Sequence, residues 1–552
     1  MNTIKYLLTI AILLAYTAIY SQTIVYVTPN GAGSGDGTSW SNALGTTNLR
    51  AKLIAASPGT QFWVQAGTYT PLYGINLNSG ISLYGGFAGT ETALNQRNLS
   101  ANVTRFTGYY GSYNVVSIIN PTSATLLSDI TISSGNASSS GAITNNGYNY
   151  TGGYGGAIII ADGGTNATIN NVVFSNNNAI SGGGAIYILC QNGASPNITS
   201  CTFTSNTASG DGGGAIHINA TTATPAINRP NISYCTFTSN TATNTSGGAI
   251  RVRADGGDCV PIIAHCIFTN NQALNGGALA TYGQSNSANP TINNSFFDQN
   301  YASNEGGAIY NSCTYSGQAG PSTVFNSVFY GNSTAGAGGA MASYSSSGSI
   351  RPYFVNCDFV SNSSRSGGYC FYNYSAGVDL SNCIIWNTST TSIIQDYSST
   401  GALINTSTVN YSIVQGGFAG TGNSGLDPLF VGYGKGTDNI WGTADDGLIL
   451  GCNSPARDAG TGSGLLTDIL GNPRPFGSAV DMGAYEIETT DQPVNATLNI
   501  AITSGGLCST NPVLFKATYT NGGTSPTFYW YKNNVQLGTN STAYADSNVG
   551  YK

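Results

Sequence analysis

Charge is what this sequence has least of. Of 552 residues, 16 are Lys or Arg and 23 are Asp or Glu, 7% in all, against roughly a quarter in ordinary globular chains. The balance is −7 and no Lys/Arg run stands out. Nucleic-acid binding, which needs a basic face, is therefore set aside. Histidine is nearly missing, with only His217 and His265, so the catalytic inventory is thin. Past the N-terminal residues no apolar run is long enough to span a bilayer. Low charge here does not imply disorder. Disordered chains are poor in aromatics, and this one has 34 Tyr, 19 Phe and 74 Gly. The composition implies order built from polar, uncharged surfaces.

Residues 1–22 read as an export signal. Lys5 precedes an apolar run over residues 6–19, the length of a signal-peptide core and short for a membrane span. The segment ends near Tyr20-Ser21-Gln22 without a clean Ala-x-Ala, and no Cys stands there to take a lipid anchor. Residues 23–59 are expected to hold a first strand and a short helix. Leu49, Leu53 and Ile54 form an apolar face over residues 48–56, suited to capping the end of a solenoid.

A repeat organises the middle. Gly-Gly-Ala-aliphatic recurs with its second glycine at Gly156, Gly184, Gly214, Gly248, Gly277, Gly307 and Gly339, and a worn copy at Gly368. The steps run from 28 to 34 residues. Phe-x-x-Asn interleaves with it as Phe174/Asn177, Phe203/Asn206, Phe237/Asn240, Phe268/Asn271, Phe297/Asn300, Phe329/Asn332 and Phe359/Asn362, with Ile384/Asn387 as a degenerate eighth. From Phe to the next second Gly is always 9 to 11 residues, whereas the return takes 18 to 23. One part of the unit is fixed and the other carries insertions.

Each unit contains short alternating pieces such as Ala185-Ile186-Tyr187-Ile188 and Ser200-Cys201-Thr202-Phe203. Alternation puts Ile186 and Ile188 on one face and Tyr187 on the other. A helix would need three- and four-residue spacing, which is missing. A single coil cannot bury its own inner face, so coils must stack about 4.8 Å apart, each the sheet partner of the next. Phe then falls on Phe, and Asn forms a side-chain ladder. The Gly pair supplies a positive-φ turn and a close approach. The fold predicted is all-β, a right-handed parallel β-helix over residues 60–425, right-handed because parallel crossovers nearly always are. A partial immunoglobulin-like β-sandwich is expected to follow it.

The paired motifs over about residues 150–390 resemble the polymorphic outer membrane protein repeats of chlamydial surface adhesins. Val25-Tyr26-Val27 to Trp40, Trp63-Val64-Gln65-Ala66-Gly67-Thr68-Tyr69 and Leu83-Tyr84-Gly85-Gly86-Phe87 resemble the opening of secreted β-helix proteins of Bacteroidetes. Asp427-Pro428-Leu429-Phe430, Cys452-Asn453-Ser454-Pro455-Ala456, Asp458-Ala459-Gly460 and Asp481-Met482-Gly483-Ala484-Tyr485-Glu486 resemble the region closing such helices, called choice-of-anchor Q, here 426–488. Residues 496–552 resemble an immunoglobulin-like domain through Cys508, Val513-Leu514-Phe515, a core Trp in Phe528-Tyr529-Trp530-Tyr531 and a turn at Asn521-Gly522-Gly523. No autotransporter barrel follows the helix, and the sandwich is read as truncated. The resemblance implies a surface-exposed or released protein of a Gram-negative bacterium. It also implies exchange with secretion machinery through a further C-terminal sorting signal, as in type IX secretion substrates.

Eleven cysteines leave an odd count. Cys201, Cys235, Cys266, Cys357 and Cys383 share one position, two residues before the Phe column. They read as buried small hydrophobes, with inter-coil disulfides or a metal as the alternatives.

Right-handed β-helices include polysaccharide lyases and glycosidases, which need two carboxylates roughly 5 to 10 Å apart. In the fixed columns Asp298 follows its Phe and Asp358 precedes its own, yet no carboxylate pair emerges. Asp211 and Glu305 precede Gly-Gly three coils apart. The best polar cluster is His217, Arg251, Arg253 and Asp255, with Asp258 nearby; alternation points His217 and Arg251 outward, in a column with Tyr187 and Tyr310. It is a candidate catalytic or sugar-binding group, against a solvated outer face. The Gly-rich loop over residues 436–447 carries Asp438, Asp445 and Asp446, oxygen ligands of the kind calcium prefers. Taken together the sequence favours an adhesin-like module for a glycan, extracellular matrix or cell-surface ligand. A lyase or hydrolase and a structural stalk are the alternatives.

Overall fold

The computed structural model describes residues 23–108, 114–139, 141–145, 148–161, 167–191, 193–221, 227–284, 286–314, 323–346, 350–387, 393–487, 497–504, 512–520, 527–532, 535–539 and 541–546. The export-signal reading of residues 1–22, Cys508 and the turn at Asn521-Gly522-Gly523 lie outside them. Two compact units divide at Ile487/Glu488.

The first unit is a parallel β-solenoid. Three long sheets run its length, of 13, 12 and 12 strands, with a fourth of eight short strands at one corner. In these four sheets nearly every strand pairs in parallel with its equivalent one coil away, mostly in register; the exception is the antiparallel pair of Ile394–Tyr397 with Leu403–Ile404. Phe174 pairs with Phe203, Phe203 with Phe237 and Phe237 with Phe268. Ile186 pairs with Ile216 and Ile216 with Ile250. Every coil thus finds its sheet partners in its neighbours, as the single unit required.

Inside, the columns are uniform. The seven motif phenylalanines are buried, with ring centroids 4.6–4.8 Å apart and planes within 12°. The asparagines form a continuous ladder. Nδ2 of Asn177, Asn206, Asn240, Asn271, Asn300 and Asn332 each donates to Oδ1 of the next at 2.9 Å. Each Oδ1 also accepts the backbone N–H of the residue below, as Asn271 does from Asn240 at 3.0 Å. Buried polar side chains persist only when so satisfied.

The two glycines of each turn have separate reasons. The first, for example Gly213 at φ +70° or Gly247 at +76°, takes a left-handed conformation closed to most side chains. The second approaches backbone from two sides. A Cβ on Gly214 would lie 2.1 Å from the Gly248 carbonyl oxygen and 2.7 Å from the Thr241 backbone.

At the N-terminal end a helix over Thr46–Ala55 buries Leu49 and Leu53. Ile54, expected on the same face, is exposed; one residue beyond Leu53 is about 100° round the helix. Residues 426–487 do not merely end the solenoid. They lie along the outer side of the phenylalanine sheet, where Trp441, Leu448, Ile469 and Tyr485 pack on outward-facing Phe296, Val328 and Val360. Leu450, Ala456, Met482 and Ile487 pack on Ile384 and Ile413.

The second unit contains two antiparallel sheets, one of three strands and one of two. Trp530, expected in a core, is only half-buried: its ring lies against Tyr544 at 6.0 Å and its Nε1 donates to the Ser541 carbonyl.

Candidate functional site

The outer face of the Gly-Gly sheet brings His217, Arg251, Arg253 and Asp255 together, and adds Asp211. Strand pairing sets Tyr187, His217, Arg251, Ala280 and Tyr310 in one outward column. Arg253 and Tyr282 stand in the column beside it. Asp211 is the hub. It accepts from Arg251 Nη1 at 3.1 Å and from Arg253 Nη1 through both oxygens at 3.1 and 2.9 Å. Arg253 Nε donates to Asp255 at 2.7 Å. Asp258 stands apart, accepting the Ser287 amide.

The solvated outer face expected at His217 and Arg251 is not found. His217 is fully buried and Arg251 nearly so. The backbone just before each Gly-Gly pair runs over them: a Cβ on Gly182 would sit 2.3 Å from His217 Nδ1, and one on Gly212 would sit 3.0 Å from Arg251 Cδ. Tyr187 and Tyr154 close the imidazole in at 5.3 and 6.0 Å. Neither ring nitrogen has a hydrogen-bond partner among the described residues. Burial, helped by the nearby Arg251 charge, pushes the His217 pKa down to about 3. Burial opposes the Asp211 charge, but Arg251 foremost among its neighbours holds its carboxyl below the usual range. A sealed neutral imidazole cannot pass protons to a substrate, and both arginines already have carboxylate partners. The cluster gives no acid–base pair.

Asp211 was noted in the sequence but not joined to this group. The signal was there: it precedes a Gly-Gly pair, at the turn that crosses the outer face.

Beyond Arg251 the same face becomes aromatic. Arg251 lies 4.4 Å over the Tyr282 ring. Then Tyr282, Tyr310, Tyr344 and Tyr372 follow, each 5.8 Å from the last. Tyr374 lies 5.5 Å from Tyr344, and Tyr397 5.3 Å from Tyr372. Two neighbouring columns alternate. Tyr282, Tyr310 and Tyr344 each share their strand with a small outward residue, Ala280, Ser312 and Ala342. All six rings are half-buried. The sequence reading caught Tyr310 in this column and missed the other five, which strand register alone would have aligned.

The carboxylates weighed as catalytic partners are docking groups. Asp298 is buried beneath the 426–487 segment and paired with Lys435 at 2.7 Å. Asp358 accepts the Ala484 amide at 3.3 Å, and burial pushes its pKa up to about 7. Asn326 and Asn356, in left-handed turns, donate to carbonyls of Thr467, Asp481 and Gly483. Arg474 and Glu486 form a fully buried ion pair.

In the acidic loop, Asp445 accepts the Thr437 amide and hydroxyl, each at 2.6 Å, and the Thr443 hydroxyl. Asp438 accepts the Ile440 amide. Asp446 turns inward to accept the Tyr485 hydroxyl at 2.8 Å. Among the described residues no three His, Cys, Asp or Glu side chains gather as a metal-holding group. The described cysteines are free thiols, and all but Cys452 are buried. The shared column is thus a packed column of small side chains.

Fold and repeats together define a parallel β-solenoid. The family model of the Chlamydia polymorphic membrane protein repeat matches residues 171–189, 200–219 and 294–312. These segments take in copies of the Phe-x-x-Asn and Gly-Gly-Ala motifs. A search of curated proteins returns no match. Among the described residues no helix is long and apolar enough to cross a membrane, which says nothing of a β-barrel.

Proposed function

We propose that the chain is an adhesin-like binding module, secreted or held on the outer surface of a Gram-negative cell. The observation that carries this is that three segments similar to surface-protein repeats lie within the solenoid and carry its Phe and Gly-Gly columns. Their uniform columns point inward, and the varied positions form the outer faces. The ligand class is a glycan, matrix component or cell surface. The segment 426–487, read as a choice-of-anchor Q region, stiffens the last coils, and the second unit acts as an immunoglobulin-like spacer. The buried His217 and the neutralised Arg251 and Arg253 lend nothing to a lyase or hydrolase.

The test is surface biotinylation and protease shaving of intact cells, with micromolar binding of the full chain to cells, matrix proteins and polysaccharides, with and without EDTA. Surface labelling with retention and no released sugar ends is expected. Loss of retention in EDTA would point to a calcium site at the Asp438 loop. Confinement to the cytoplasm, or release of reducing or unsaturated ends, would overturn the reading.

A further inference from the structure

We propose that the six-tyrosine ribbon is a binding track for an extended, uncharged polysaccharide lying along the solenoid axis. The proposal rests on the binding-module reading above and names its ligand class and its site.

Direction comes from the fold. Successive coils carry the rings, so the ribbon runs along the axis at separations of 5.3–5.8 Å. It crosses five coils, from Tyr282 to Tyr397. A linear chain of sugar rings also presents one flat face after another, and its C–H faces suit the face of a phenol. Ala280, Ser312 and Ala342 beside successive rings are buried, so the rings themselves form the surface, offset from coil to coil between two columns.

Rigidity favours binding. Tyr310, Tyr344, Tyr372 and Tyr374 are rooted in strands paired in parallel on both sides. Their freedom is already lost in folding, so little more is lost when a ligand arrives. Tyrosine supplies broad amphipathic contact with few torsions to fix.

Charge selects the ligand. Glu305 beside the ribbon takes the Tyr344 hydroxyl as a donor. Asp396 faces the core, where Asn373 and the Thr406 and Ser407 amides satisfy it. At one end Arg251 and Arg253 are tied to Asp211, and Arg253 also to Asp255. At the other end Ser375 and Ser398 border a cavity of about 230 Å³, whose Arg351 is paired with Asp379. Among the described residues the arginines at the ribbon's two ends are paired with carboxylates, and exposed Arg365 stands beside the path in the turn before Gly367 and Gly368, so a polyuronate has a single local cation to meet and not a charged track.

One other exposed aromatic pair, Tyr234 stacked on His265 at 4.7 Å, has no ring on either side, where Ser200 and Asn294 stand. It is a pair and not a track, and it serves as the control.

The experiment is affinity electrophoresis and titration calorimetry of the full chain. The probes are soluble uncharged glucans, mannans, xylans and galactans, with a polyuronate as the charged arm. Variants are Tyr310→Ala with Tyr372→Ala, the conservative Tyr310→Phe with Tyr372→Phe, and Tyr234→Ala. At least one uncharged polysaccharide is expected to bind. The Ala pair should weaken it by about tenfold or more, while the Phe pair stays within about threefold. Tyr234→Ala and added salt should leave it unchanged, and melting temperatures should match.

No binding to any uncharged probe would overturn the proposal. So would binding indifferent to the Ala pair, binding only to the polyuronate, or a ribbon that engages only a protein. If surface retention on cells survives the Ala pair, the ribbon fails and the module reading stands. If the chain never reaches the surface yet binds polysaccharide through the ribbon, the reverse holds.

Discussion

Asn271→Ala removes the middle rung of the asparagine ladder. Asn271 Nδ2 donates to Asn300 Oδ1 and to the Phe237 carbonyl, both at 2.9 Å. Its Oδ1 accepts from Asn240 N at 3.0 Å and Asn240 Nδ2 at 2.9 Å. Four hydrogen bonds are lost in a site closed to water. A typical bond contributes about 1 kcal/mol net, and a buried donor left bare costs about 1–3 kcal/mol more. The Asn240 amide is left in that position, while Asn240 Nδ2 keeps the Phe203 carbonyl. The rungs support one another, so the sum is not strictly additive. The expected loss is about 3–6 kcal/mol.

Asn271→Asp should be worse at neutral pH. Its oxygens can still accept from Asn240, but Asn300 Oδ1 keeps only the residue-271 backbone N–H, the Phe237 carbonyl loses its side-chain donor, and a charge is buried. Asn178→Ala, at the half-exposed residue that follows ladder residue Asn177, should change stability by less than about 1 kcal/mol. Urea unfolding by circular dichroism gives the global value. Amide exchange across neighbouring coils shows whether the loss spreads along the stack, as nearest-neighbour coupling requires. An Asn271→Ala protein within about 1 kcal/mol of the parent would refute the ladder as a principal support.

Gly214→Ala should destabilise by about 1–3 kcal/mol or more, because its Cβ meets backbone on two sides and not a movable side chain; thermal melts measure it. Alkylation without denaturant, mapped by mass spectrometry, should label Cys452 and spare the nine buried cysteines such as Cys201 and Cys357 until urea is added. Acid should tighten the 426–487 segment. Burial raises the folded pKa of Asp358 to about 7 and of Asp446 to about 6, above the unfolded value near 4. Between those limits the folded state holds more protons, so stability is highest below about pH 4 and falls as pH rises through the folded values. Limited proteolysis should cut the segment faster at pH 8 than at pH 5, and Asp358→Asn should flatten the difference. Trp441→Ala, which empties the contact with Phe296 at 5.4 Å, should speed the same cleavage at both pH values.

The inner columns were legible because burial makes them uniform. Phe174 to Phe359 and Asn177 to Asn362 recur at a fixed offset from the glycines, and each has one physical role. The outer positions were harder. Alternation tells which way His217 and Arg251 point, but not what lies over them. Gly182 and Gly212 were the sign, each a missing side chain where another residue needs the room. The covered strip also left a trace. Outward Thr204, Thr238 and Thr269 give way to Asp298, Tyr330 and Val360 where the later segment docks. The left-handed turn residue changes from Ser200, Tyr234 and His265 to Asn294, Asn326, Asn356 and Asn382 over the same coils. A lone Asp in a repeat column was weighed for catalysis, where it marked a contact with distant chain.

The most direct test of the account is hydroxyl-radical footprinting of the full chain, with and without the tightest-binding uncharged polysaccharide of the panel. Unliganded, the rings from Tyr282 to Tyr397 should oxidise and the buried Tyr69 and Tyr485 should not. With polysaccharide, protection should appear along those ribbon rings and leave exposed Tyr234, Tyr301 and Tyr433 unchanged. Protection centred on Tyr234 and His265, or a ribbon that stays equally reactive under saturating polysaccharide, would contradict it.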